Sequence, residues 1–118
     1  MPQDNTSVAS LKEIFQKFQS LKCDQQRAME DDYVEVVFDV KDQQAWHKVL
    51  TDVFGPVAKP EGKAPTREDS SLTEEFGGVF DNQVLFRKDF NGTKVIAMLW
   101  PWGNRQQITL KMAVLKKK

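Results

Sequence analysis

The period of the hydrophobic pattern changes along the chain, and each change marks an element. Leu11, Ile14, Phe18, Leu21 and Ala28 recur at three- and four-residue spacing, with Phe15 widening the stripe and Gln25 interrupting it. That spacing predicts a helix with one buried face. Ser10-Leu11-Lys12-Glu13 has the form of a capping box at its start, although a start at Thr6 or Ser7 also fits. Glu30-Asp31-Asp32 sets its end near Met29, because acids are unfavourable at the negative end of a helix dipole.

From Tyr33 to Val40 the period switches to two: Val34, Val36, Phe38 and Val40 fall on one side, and Tyr33, Glu35, Val37 and Asp39 on the other. This is the pattern of a strand with one buried face in an antiparallel or mixed sheet. A second helical stripe follows in Trp46, Val49, Leu50, Val53 and Phe54, with Asp42 as predicted N-cap and Gly55-Pro56 as the stop. The predicted helix is Gln43 to Phe54.

Between Val57 and Ser71 apolar side chains nearly vanish, and Pro60, Gly62 and Pro65 alternate with charged residues. The segment reads as a long, mobile loop, of the kind that is often functional. Ser71-Leu72-Thr73-Glu74 is a second capping-box match, enough for one helical turn before Gly77-Gly78.

Alternation then returns as a three-stranded meander from about Val79 to Leu115. Asn91-Gly92 signals a two-residue hairpin, which sets Phe90 opposite Thr93, Lys88 opposite Val95, Phe86 opposite Ala97 and Val84 opposite Leu99. Pro101 ends the second strand. In the third, Ile108, Leu110, Met112 and Val114 share a face, and Thr109, Lys111 and Ala113 take the other.

Together these elements predict a single α+β domain over residues 1–118, with a loose leader at 1–6 and a frayed basic tail at 116–118. The expected architecture is a two-layer sandwich in the order α-β-α-β-β-β. In it, a four-stranded, mostly antiparallel sheet is covered on one face by two helices. The pattern leaves open whether the first strand lies beside the Val84 strand or the Ile108 strand.

Net charge is zero, from 17 basic and 17 acidic residues, but the charges are segregated. Residues 24–42 hold seven acids and two bases, whereas 87–118 hold eight bases and one acid. Acidic and basic strands facing each other in one sheet account for this, and an anionic partner is the alternative. A neutral total argues against strong nonspecific nucleic-acid binding. No apolar run reaches the ~18 residues of a membrane span. With one cysteine, Cys23, and no apolar leader, the expected setting is the cytoplasm.

Candidate chemistry adds little. One His and one Cys form no spaced metal-ligand cluster, so no metal or other cofactor is expected. A Cys23–His47 dyad would need two helices to oppose these residues. Gly77-Gly78 lacks the surroundings of a phosphate-binding loop, and no catalytic residue is assigned. The first helix is too short for a clean coiled coil, so the chain is expected to be a monomer or homodimer.

Trp100-Pro101-Trp102-Gly103-Asn104-Arg105 stands out, because Trp and Arg are enriched at binding hot spots. The leading reading is a non-catalytic module that contacts a protein partner through the Trp102 turn and the adjacent long loop. The candidate site residues are Trp100, Trp102, Arg105, Arg87 and Lys94. A second reading is nucleic-acid binding by the basic strands, through Arg87, Lys88, Lys94, Arg105 and Lys111. A third is a small-ligand pocket or enzyme between helices and sheet, lined by Trp46, Phe38 and Phe86.

Overall fold

The computed structural model of the chain describes residues 11–90 and 93–115. The leader at 1–6, the Ser10 cap, the Asn91-Gly92 turn and the tail at 116–118 lie outside them. The fold is α+β, built on a five-stranded antiparallel sheet in the order β1-β2-β5-β4-β3. The strands are β1 (Gln25–Met29), β2 (Tyr33–Asp39), β3 (Val84–Phe90), β4 (Thr93–Pro101) and β5 (Gln107–Leu115).

The fifth strand corrects the expected count of four, and it replaces the second half of the long first helix. Helix α1 spans only Leu11–Phe15 and runs on as a 3-10 turn, Gln16–Phe18. Leu11, Ile14 and Phe18 are buried as their spacing requires. Beyond Leu21 there is no stripe left to bury. Gln25–Met29 pairs with β2 instead, with a bulge between Gln26 and Ala28. The acidic run that a helix end would have repelled becomes the β1–β2 turn, where the Glu30 N–H donates to the Tyr33 carbonyl at 2.8 Å.

Strand β2 lies beside β5 in a register that sets Glu35 opposite Lys111, so acidic and basic strands are neighbours. The β3–β4 ladder has the register expected from the hairpin signal, from Phe90 opposite Thr93 to Val84 opposite Leu99. Strand β3 begins at Val84, however, and Val79–Gln83 is a turn rather than strand.

Helix α2 (Gln43–Phe54) has the predicted bounds. Asp42 occupies its N-cap position as predicted, but the Asp42 side chain makes no capping bond; Asp39 caps the preceding 3-10 turn by accepting from Lys41 N–H at 2.9 Å. Helices α1 and α2 cover one face of the sheet. Trp46 is fully buried there, stacked on Phe38 at 4.6 Å and on Phe18 at 5.6 Å between ring centroids.

The second face is also covered, which corrects the one-sided sandwich. The segment read as a loop from Val57 to Ser71 adds a bridge, Lys59 to Leu85, at the β3 edge. It then enters a third helix, α3 (Arg67–Thr73). The capping box is Thr66 with Asp69, each side chain accepting the other's backbone N–H at 3.0 Å, and not the match at Ser71. Val79 packs with Leu85, Ile96, Met98 and Ala113 on this face, and Phe76 stacks on Tyr33 at 5.9 Å. Gly77 crosses Trp100 so closely that a Cβ there would lie 2.8 Å from the indole. Its φ of +98° also favours glycine.

Candidate functional site

The β4–β5 connection is short and fixed by hydrogen bonds. Trp102 N–H donates to the Gln107 carbonyl at 2.9 Å, and Arg105 N–H to the Trp102 carbonyl at 3.0 Å. Gln106 N–H donates to Asn104 Oδ1 at 2.8 Å, and Arg105 takes the left-handed φ of 60° that closes the turn. The Trp102 indole folds back over β5, its Nε1 donating to Thr109 Oγ1 at 2.7 Å. The Arg27 guanidinium lies 5.5 Å from the ring centroid, so Trp102 is held partly exposed between a strand and a cation.

A cleft of about 620 Å³ opens beside this turn. Pro101, Trp102, Arg105 and Ile108 contribute from the β4–β5 end, and Val40 and Gln43 from the β2–α2 junction. Glu61 and Asn82 come from the segment that crosses the second face. The Trp102 turn and part of the long 57–71 segment therefore meet in space. The volume lies within the ordinary range for ligand sites, and the lining is mixed, with one acid, one base, amides and apolar groups.

The five candidate residues do not form one site. Trp102 and Arg105 line the cleft. Trp100 sits on the second face under Gly77, with Lys111 Nζ 3.6 Å from its ring centroid. Arg87 and Lys94 lie toward the opposite end of β4, beside a separate hollow of about 260 Å³. Lys94 and Trp102 are eight residues apart along the chain, or ~26 Å at about 3.3 Å per residue. Arg87 is paired with Glu68 at 2.9 Å.

Sequence reasoning missed Arg27, Val40, Gln43, Glu61 and Asn82. Arg27 falls off the apolar stripe of the span predicted as the first helix, and the others carry no local signal. Lys59 was also missed. It is 2% exposed, and its Nζ donates to the carbonyls of Pro60 at 3.3 Å, Asp81 at 3.2 Å and Gln83. Burial lowers its pKa, while the charges of Asp81, Asp69 and Glu61 pull the other way. It works as a pin between segments, holding the Asp81–Gln83 turn to the Lys59 bridge.

The remaining reactive groups are dispersed. Cys23 lies two residues before β1, whereas His47 packs edge-on against Phe86 of β3 at 5.2 Å. Those strands are the two edges of the sheet, so no dyad forms. Burial, and then the Asp24 charge, push the Cys23 thiol up. Trp46, Phe38 and Phe86 are fully buried in the core rather than facing an open cavity. Among the described residues no group of three or more His, Cys, Asp or Glu could hold a metal ion, and no helix is long and apolar enough to cross a membrane.

Tyr33 has a strongly raised pKa, first from burial, then from the 2.6 Å hydrogen bond it donates to Glu35, then from the Glu35 and Glu30 charges. Its stabilising contribution is complete below the unfolded value near 10 and is lost as pH rises toward the folded value. Because Tyr33 is the chain's one tyrosine, absorbance at tyrosinate wavelengths reads it directly. The folded protein should show little tyrosinate at pH 10, and Glu35→Gln should bring the transition down. A wild-type transition at the ordinary tyrosine value would contradict this account.

Compared with known proteins, the chain matches no family, no curated protein and no solved structure.

Proposed function

We propose that this chain is a non-catalytic binding module whose contact surface is the cleft beside the Trp102 turn. The observation that carries the reading is the meeting of Trp102 and Arg105 with Glu61 and Asn82 around one cleft of about 620 Å³. A partly exposed tryptophan beside an arginine is the side-chain pairing typical of a protein-contact hot spot. The turn's own hydrogen bonds pre-organise it, which lowers the entropy lost on binding. A single-cysteine chain of this kind fits a cytoplasmic setting.

Nucleic-acid binding through the basic strands has less support. Arg87 is neutralised by Glu68, Lys111 is seated over Trp100, and Arg105 lies toward the opposite end of β4 from Lys94.

The test is selection of short peptides from a random displayed library against the folded chain. Selected peptides should shift the backbone NMR signals of Val40, Gln43 and Arg105. Trp102→Ala should weaken them by about 2 kcal/mol or more, while Tm falls by no more than about 10 °C. Arg105→Ala provides a second, fully surface-borne check. Peptides that bind elsewhere, or binding indifferent to both substitutions, would refute the proposal.

A further inference from the structure

The two faces of the sheet are covered by different chemistry. On the first face, α1, its 3-10 turn and α2 bury apolar side chains, among them Leu11, Ile14, Phe18, Trp46, Leu50 and Phe54. Residues 59–83, which cross the second face, bury one apolar side chain, Val79, and four polar ones, Lys59, Asp69, Thr73 and Gln83. Those four bond within the segment itself. Lys59 Nζ donates to the carbonyls of Pro60, Asp81 and Gln83. The Asp69 carboxylate accepts from Thr66 N–H at 3.0 Å, Thr73 Oγ1 donates to the Asp69 carbonyl at 2.8 Å, and Gln83 Oε1 accepts from Phe80 N–H at 2.9 Å. Backbone bonds repeat the pattern, from Gly62 N–H to the Asp81 carbonyl at 2.7 Å and from Gly78 N–H to the Thr73 carbonyl at 2.8 Å. Outward ties are few in kind: the Lys59 bridge to Leu85 on edge strand β3, the Glu68–Arg87 ion pair, and the contacts of Phe76, Gly77 and Val79 with the second face.

A segment bonded mainly to itself loses its bonds together, and one with little buried apolar surface opens at a lower free energy than the whole domain. We infer that residues 59–83 are a strap that opens and closes over the second face as one cooperative unit, while the sheet and the first-face helices stay folded, and that its closure controls the cleft beside Trp102. Glu61 and Asn82 line that cleft and belong to the strap, whereas Val40, Gln43, Trp102 and Arg105 stay with the sheet and α2. Opening therefore removes one side of the cleft, and a ligand that needs both sides favours the closed strap. Only this control of the cleft rests on the cleft being the contact surface; the strap itself does not.

Amide hydrogen exchange followed by NMR on the intact chain, in water and in urea below the unfolding transition, tests both. The amides of Lys59, Gly62, Gly78 and Gln83 should exchange at one shared opening free energy, about a hundredfold or more faster than the slowest amides of β4 and β5. Their urea dependence should be shallower, because opening exposes less surface than unfolding. Lys59→Met should speed all four by about tenfold or more through the loss of a buried hydrogen bond. A peptide that binds at Trp102 and shifts Arg105 should slow the same four. Four separate free energies, or the urea dependence of the slowest β4 and β5 amides, overturn the strap, as does an unequal response of the four to Lys59→Met. A cleft-bound peptide that leaves the four rates unchanged overturns the control of the cleft. If no peptide takes the cleft, the contact-surface reading and that control fall together, and the strap is still judged on the free chain.

Discussion

Trp46→Ala should destabilise the fold by about 4 kcal/mol, within the range of roughly 3–5 kcal/mol for deleting a buried tryptophan. The side chain is fully buried and joins three elements: it stands on α2, stacks on Phe38 of β2, and meets Phe18 and Phe15 from the α1 region. Its removal leaves a cavity that all three border, so none can close it without shifting the others. Against the roughly 5–15 kcal/mol by which small domains are stable, this leaves a marginal protein. Trp46→Phe separates the causes. The indole Nε1 is buried without a hydrogen-bond partner among the described residues, so phenylalanine removes an unpaired donor along with some volume. Relief of that donor, worth about 1–3 kcal/mol, offsets part of the cavity cost, and Trp46→Phe should lose no more than about 1–2 kcal/mol. Urea unfolding followed by far-UV CD measures both. Equal losses in the two variants would show that ring volume is not what matters there.

Lys59→Met should cost about 2 kcal/mol, although it removes a buried charge and keeps most of the aliphatic stem. The Gln83 carbonyl loses the ammonium as donor, whereas Pro60 keeps the Lys63 N–H and Asp81 keeps the Gly62 N–H. A buried carbonyl left without a donor, as that of Gln83 is, costs about 1–3 kcal/mol, and the released desolvation of the ammonium offsets part of this. The pH dependence supplies an independent check. Burial lowers the folded pKa of Lys59 below its ordinary 10.5. Between those two values the unfolded chain holds more protons, so the wild-type contribution of Lys59 grows as pH rises through that window. Tyr33 works in the opposite direction but is common to both proteins and cancels in the comparison. The stability gap between wild type and Lys59→Met should therefore widen from neutral pH toward 10.5. A gap that narrows would contradict the burial account, and a stabilised Lys59→Met would show that the three carbonyls do not depend on the ammonium.

The two substitutions probe parts of the molecule that differ in how far the sequence revealed them. Trp46 is legible in the sequence as a buried position, since it begins a clear helical stripe, although a cavity wall fits the same pattern. The ring stacks fill that space instead. Lys59 gave no sign of burial, because a lysine among prolines, glycines and charges has the local signature of a solvent-exposed loop. Its partners Asp81 and Gln83 lie more than 20 residues away, and only the chain's return across the second face brings them together. The candidate site divides in the same way. Trp102 and Arg105 were found from residue type within one turn, whereas Val40, Gln43, Glu61 and Asn82 join them from distant segments.

Sequence by itself determined what depends on near neighbours: the Gln43–Phe54 helix, the alternation of β2, the register of β3 on β4, and the short turn at Trp102. Periodicity, caps and tight turns act over a few residues, so their causes are visible in the order of side chains. Tertiary structure alone decided the fate of Gln25–Met29, which had no apolar stripe to hold a helix and paired with the open edge of β2 instead. It also decided that the polar segment after Gly55 would cover the second face of the sheet, burying Lys59 and setting the Phe80 turn beside the Trp102 cleft. Those outcomes depend on backbone groups and sheet faces that must be satisfied by whatever segment can reach them, and reach is a property of the folded chain.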